Sequence, residues 1–167
     1  MDSSTLTIFD GVVLGAQMVA TGSPRPVEGN NRVFAMSATD GSKLWTYEVG
    51  SVVWNFMPST PGDGTVLFST THAQAHRVNL TTGEQIWKSG PPDDETMYGT
   101  GGGSLGPDGN FWAVGNYAHM SMGEHRYPSV EPCNLGYCPN GPGLYTAYRV
   151  SDGQIMKRDR MPLQGNQ

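Results

Sequence analysis

A chain of 167 residues with 23 glycines, 12 prolines and only 15% charged residues is long enough for one ordinary core and has the turn density of an all-β protein. Its net charge of -5 argues against a nucleic-acid-binding surface, since the single basic cluster, Lys157, Arg158 and Arg160, is interrupted by Asp159. No apolar run reaches the roughly 18 residues of a membrane-spanning helix, and no signal peptide is expected within this numbering, whose first positive residue is Arg25.

In chain order, alternating apolar and polar residues predict strands over 4–9, 12–20, 32–37 and 43–49, then over 51–58, 66–71, 75–79 and 85–89. A third group begins near Met97, runs through Phe111 to Gly115, and resumes over 144–150 and 154–159. No window shows helical apolar spacing behind a helix start signal. Between the strands stand two series of turn dipeptides. One is Asp10-Gly11, Asp63-Gly64 and Asp108-Gly109; the other is Asp40-Gly41, Thr82-Gly83 and Asp152-Gly153. A turn dipeptide between apolar runs is a hairpin signal, and two hairpins per unit imply about four strands per unit.

The second series is an internal repeat. Its glycines, Gly41, Gly83 and Gly153, stand 42 and then 70 residues apart, so the second spacing carries an insertion of about 116–142. Units of about 4–50, 51–90 and 97–160 result. Such repetition marks an array in which each unit buries its face against a neighbour. Four residues after the glycine comes Trp45, then Trp87, and in the third unit Lys157. A large flat side chain at that fixed place is expected to lie across the next unit, burying roughly 150–250 Å² and offering its indole N–H to a backbone carbonyl.

The pattern Ala-x-x-x-x-(Asp/Thr)-Gly-x-x-(Leu/Ile)-Trp, preceded by Asp-Gly-x-Val, resembles the repeat of the quinoprotein β-propellers, the fold of pyrroloquinoline-quinone-dependent alcohol dehydrogenases and their non-catalytic relatives. The resemblance implies four-stranded antiparallel blades, a general architecture shared with WD40-type propellers. Where that family usually has Asp, four residues before the turn glycine, this chain has Ser37, Asn79 and Arg149. A closed propeller of six such blades would need roughly 250 residues, so residues 1–167 are expected to form a single partial propeller of about three blades, open at both flanks. Open flanks expose sheet faces and strand edges, which a protein partner or the remainder of a longer chain is expected to cover.

Other residue groups have competing readings. Cys133 and Cys138, the only cysteines, lie within the insertion; a disulfide between them would pin this loop and imply an oxidising, extracytoplasmic or organelle-lumen setting, against the alternative of two reduced thiols. His119, Met120, Met122 and His125 carry soft donors of the kind that suits copper, against the plainer reading of a loop, and no metal is assigned. Gly99 to Gly103 lacks the Lys-Ser/Thr and the helix of a phosphate loop. Asp93, Asp94 and Glu95 read as a solvated loop before they read as Ca²⁺ ligands, His72 and His76 read as structural, and Asn79-Leu80-Thr81 matches a glycosylation triplet that chance also produces.

The reading favoured is a non-catalytic scaffold or accessory subunit that mediates protein–protein interaction, without a cofactor. The resemblance carries the alternative of a segment of a dehydrogenase that oxidises an alcohol or sugar with pyrroloquinoline quinone and Ca²⁺. That activity requires a metal-binding carboxylate, a base and a stacking Trp, for which Glu28 and Glu124 are unsupported candidates, and the paired adjacent cysteines common in catalytic members are absent. A third reading is glycan or polymer binding on Trp54, Trp112 and Tyr98, against core packing of the same rings.

Overall fold

The computed structural model describes residues 6–19, 30–71, 73–90, 97–98, 102–117 and 143–160. These residues form three antiparallel sheets and no helix. The first sheet has the order β1-β2-β3-β4, with β1 at Thr7–Phe9, β2 at Val12–Gln17, β3 at Arg32–Ser37 and β4 at Lys43–Glu48. The second is β5-β6-β7, with β5 at Thr65–Ser69, β6 at Ala75–Asn79 and β7 at Gln85–Ser89. The third places β8 (Met97–Tyr98) and β9 (Gly103–Leu105) along one edge of β10 (Asn110–Tyr117), followed by β11 (Gly143–Arg149) and β12 (Ile155–Arg160). Since β8 and β9 pair with opposite ends of β10, they act as one interrupted strand, and the sheet is a four-stranded blade.

The expected strand over 51–58 does not form. Only an isolated bridge from Ser59 to Leu67 represents the fourth strand of the middle blade. The segment is instead drawn into a loop, where Val53 N donates to Asn30 O and Val52 O accepts from Thr71 N, so its backbone groups are satisfied by the loops of its own and the preceding blade.

The three repeated turns are copies of one geometry. In each, the glycine N–H donates to the carbonyl four residues back: Gly41 to Ser37, Gly83 to Asn79 and Gly153 to Arg149. All three glycines have φ between +72° and +74°, a conformation that penalises a Cβ. The side chain just before the glycine closes the turn: Asp40 accepts from Ser42 N, Thr82 Oγ1 from Glu84 N, and Asp152 from Gln154 N. Each turn is followed by a register shift at the same place, between Ala35/Met36, Arg77/Val78 and Ala147/Tyr148. The bulge re-aims the outer strand so that Trp45, Trp87 and Lys157 pair with Ala35, Arg77 and Ala147.

Alternation then assigns the faces. Val12, Leu14, Ala16, Val33, Ala35 and Trp45 of the first sheet pack with Val66, Phe68, Val78 and Leu80 of the second. Leu67, Ala75 and Trp87 pack with Phe111, Ala113 and Tyr148 of the third. The core is therefore two slabs, one between each pair of neighbouring blades.

Candidate functional site

The first seam is built around Trp45. Its Nε1 donates to Leu80 O at 2.9 Å, and its ring lies against Gly83, where a Cβ would stand 2.6 Å from Cδ2. The second seam repeats this geometry: Trp87 Nε1 donates to Val150 O at 2.9 Å, and a Cβ on Gly153 would stand 2.8 Å from Cδ2 of Trp87. Each indole thus covers the turn glycine of the following blade and bonds the carbonyl three residues before it. An unpaired indole N–H would be costly at this depth, so the carbonyl fixes the ring as well as satisfying it.

Three further features of the seams were not legible in the repeat. Arg77, buried where the other two blades have alanine, donates from Nε to Thr65 Oγ1 at 3.0 Å, from Nη2 to Asp63 Oδ2 at 2.5 Å, and from Nη1 to Val150 O at 2.7 Å. Asp63 is held below the usual carboxylate range first by the Thr65 hydroxyl and, with opposing burial, by Arg77. Tyr148 reaches back from the third blade to donate to Ala73 O at 2.5 Å, beneath Gly90, and its burial pushes the phenol up to about 12. In the first seam, Tyr47 donates to Gln85 Oε1 at 2.6 Å while its oxygen lies 2.9 Å from His76 Nδ1. With the phenol hydrogen on Gln85, Nδ1 carries the ring proton and donates to Tyr47. His76 is stacked on Phe68 at 5.0 Å and driven down to about 3 by burial and by Lys88, so it is a neutral core side chain.

The outer faces are uncovered among the described residues. On the first sheet, Val13 and Met36 face each other, and Leu6 and Phe34 cover Gly15, while Leu6 and Ile8 are 60% and 62% exposed. On the third sheet the outward ladder carries Trp112, Val114, Tyr145 and Lys157. Trp112 lies 5.7 Å from Tyr145 and donates to Asp108 Oδ1 at 3.1 Å, and Lys157 Nζ sits 5.3 Å over the Tyr145 ring. Lys157 holds the place that Trp45 and Trp87 have on the outer strands of the other two blades, and the indole N–H of Trp112 is spent on Asp108.

The remaining sequence candidates distribute as follows. Cys133, Cys138, His119, Met120, Met122, His125, His72, Asp93, Asp94, Glu95, Glu28 and Glu124 lie outside the described residues, as does the Tyr98 side chain. Trp54 is half-buried in the loop before the middle blade, not in a strand. Asn79 Oδ1 accepts from both Thr81 N and Thr82 N, so the amide of the glycosylation triplet serves its own turn.

The described residues do not assemble the donor set that a quinone and Ca²⁺ need. Asp40, Asp108 and Asp152 are spent on turn N–H groups, Asp63 on Thr65 and Arg77, and Glu48 on an ion pair with Arg32. No three His, Cys, Asp or Glu converge among them.

No protein-family model matches the chain, and no curated protein sequence matches it. Solved structures do. Quinohemoprotein alcohol dehydrogenase from Comamonas testosteroni superimposes with a TM-score of 0.64 at 14% identity, covering 98% of this chain and 22% of the enzyme. BamB from Moraxella catarrhalis gives 0.54 at 14% identity, covering 95% and 34%. The acylaminoacyl peptidase of Pyrococcus horikoshii gives 0.60 at 14% identity, covering 95% and 24%. The chain spans between about a fifth and a third of these proteins, and at this identity the likeness is one of fold: three blades of a β-propeller.

Proposed function

We propose that this chain is a non-catalytic scaffold or accessory segment whose open blade faces bind protein. The observation that carries the reading is the outward face of the first sheet, where Leu6, Ile8, Val13, Phe34 and Met36 form an apolar stripe across β1, β2 and β3, bordered on β4 by Lys43 and Thr46, on a blade whose other face is packed against the second sheet. Single exposed apolar residues are ordinary, but an apolar stripe across three strands with a polar border marks an interaction surface. Val13, Phe34 and Met36 occupy the positions that Val66, His76 and Val78 hold on the next blade, where they are buried.

The test has two arms. An apolar fluorescent dye should bind the native chain, and Leu6→Glu with Ile8→Glu should abolish that binding without lowering the melting temperature; unchanged dye binding would remove the interaction face. Pyrroloquinoline quinone with Ca²⁺ should give neither a chromophore shift nor dye-linked alcohol oxidation, and turnover would establish the dehydrogenase reading in its place.

A further inference from the structure

The register shift after each repeated turn leaves one residue of the edge strand without a partner in the ladder. With Met36 paired to Lys43 and Ala35 to Trp45, that residue is Leu44; the same shift leaves Ile86 on β7 and Met156 on β12. All three are apolar, and all three are exposed. Missing neighbours do not explain the exposure, because the middle blade packs against a sheet on both sides and its Ile86 is still 46% exposed. The rim of the fan therefore presents one apolar side chain per blade, at a place that blade stacking leaves open. Charge follows the same strands. β4, β7 and β12 carry five of the ten Lys and Arg residues and two of the fifteen Asp and Glu, in a chain whose net charge is -5. Lys43 precedes Leu44, Lys88 stands two residues after Ile86 and Arg158 two after Met156, and these three cations are exposed. Of the two acids, Glu48 is paired with Arg32.

We infer that this rim docks on an anionic lipid surface, with Leu44, Ile86 and Met156 entering the boundary between headgroups and acyl chains and the cations beside them meeting the lipid charges. Two other occupants fit less well. A strand edge lined with lysine resists pairing with an added peptide strand. Apolar side chains spaced one per blade also fall short of the continuous patch that a shape-complementary protein covers. A fluid lipid layer has no such requirement, since it supplies an acyl chain and a headgroup wherever each side chain falls. The rest of the chain is acidic, so attraction to an anionic layer is confined to the rim and orients the molecule upon it. The sheet faces stay free in this arrangement, so the inference stands apart from the protein-binding reading above.

Co-sedimentation of the full chain with vesicles tests the rim. Vesicles of phosphatidylcholine with phosphatidylserine should carry the chain down at low salt, and vesicles of phosphatidylcholine alone should not. Lys43→Gln with Lys88→Gln should weaken the binding about thirtyfold, roughly fivefold for each cation. Leu44→Ser with Ile86→Ser should weaken it about tenfold or more. All four positions are exposed, so both double variants should keep the melting temperature of the parent; if the serine pair lowers it, the lysine pair carries the test. Leu6→Ser with Ile8→Ser, on the first sheet's outward face, should bind vesicles as the parent does, which keeps failure of the rim distinguishable from failure of the interaction face. The inference is overturned by a chain that sediments with neither vesicle, by equal binding to both, or by binding that survives the lysine pair. Vesicle binding lost with the substitutions at 6 and 8 would move the contact to the sheet face, and retention on immobilised polyglutamate without vesicle binding would make the rim a site for an acidic protein; either result overturns it as well.

Discussion

Gly41 and Gly83 have the same backbone and different surroundings, which separates the two reasons a glycine can be required. At Gly41 the only demand is the left-handed φ, so Gly41→Ala should cost about 1–2 kcal/mol. At Gly83 the methyl would also strike the Trp45 ring, and overpacking adds about 1–3 kcal/mol. Urea denaturation of the two variants should show the larger loss at 83; equal losses would mean that the ring yields freely. At the donor side, Trp45→Ala removes a buried indole and leaves Leu80 O without its partner, and should cost about 3–5 kcal/mol.

His76 gives the residue scale a pH signature. Its imidazole is depressed in the folded chain to about 3, against an ordinary value near 6.5, so the unfolded chain binds a proton that the folded chain refuses. The stability it supports is complete above about pH 6.5 and is lost as pH falls toward 3, with a slope near 1.4 kcal/mol per pH unit. The depressed carboxylate of Asp63 adds its own loss only at lower pH, near the ordinary carboxylate range. His76→Phe keeps an aromatic ring beside Phe68 and should flatten the stability profile between about pH 6.5 and 4. An unchanged profile would assign the proton uptake to another group.

At the scale of elements, the two seams share an indole but differ in the strand behind it. The first has Ala35 opposite Trp45; the second has Arg77 opposite Trp87, and its guanidinium joins Asp63 and Thr65 of its own blade to Val150 of the next. Arg77→Ala would leave a void, a carboxylate without its cation, and a carbonyl with one donor where two converged. A loss of about 2–4 kcal/mol is expected in chemical denaturation, discounted because Asp63 is half open to water. Arg77→Lys should recover only part of it, since an ammonium cannot hold the three acceptors in one plane. Full recovery would reduce the clasp to a point charge.

At the scale of the whole molecule, each core slab of the described residues joins two neighbouring blades, so stability is expected to be the sum of blade terms and two seam terms. Trp45→Ala should therefore accelerate amide exchange in β2 and β3 well before it affects β10 and β11, which are held by Trp87, Arg77 and Tyr148. Uniform acceleration through all three sheets would show one cooperative body in place of an array.

Sequence alone determined the repeated hairpins, because a turn needing positive φ writes itself as Asp-Gly or Thr-Gly and the flanking strands alternate with period two. It located β3, β6 and β7 at their observed bounds, and it singled out Trp45 and Trp87 by their fixed distance from Gly41 and Gly83. It wrongly assigned a strand to 51–58, where apolar alternation competes with backbone partners that the loops at Asn30 and Thr71 supply. Nor could it reveal that Arg77 and Tyr148 reach across 73 and 75 residues to carbonyls at Val150 and Ala73. Those bonds end on backbone oxygen, which every residue carries and no residue type advertises, so only the stacking of one sheet on the next selected which carbonyl each donor meets.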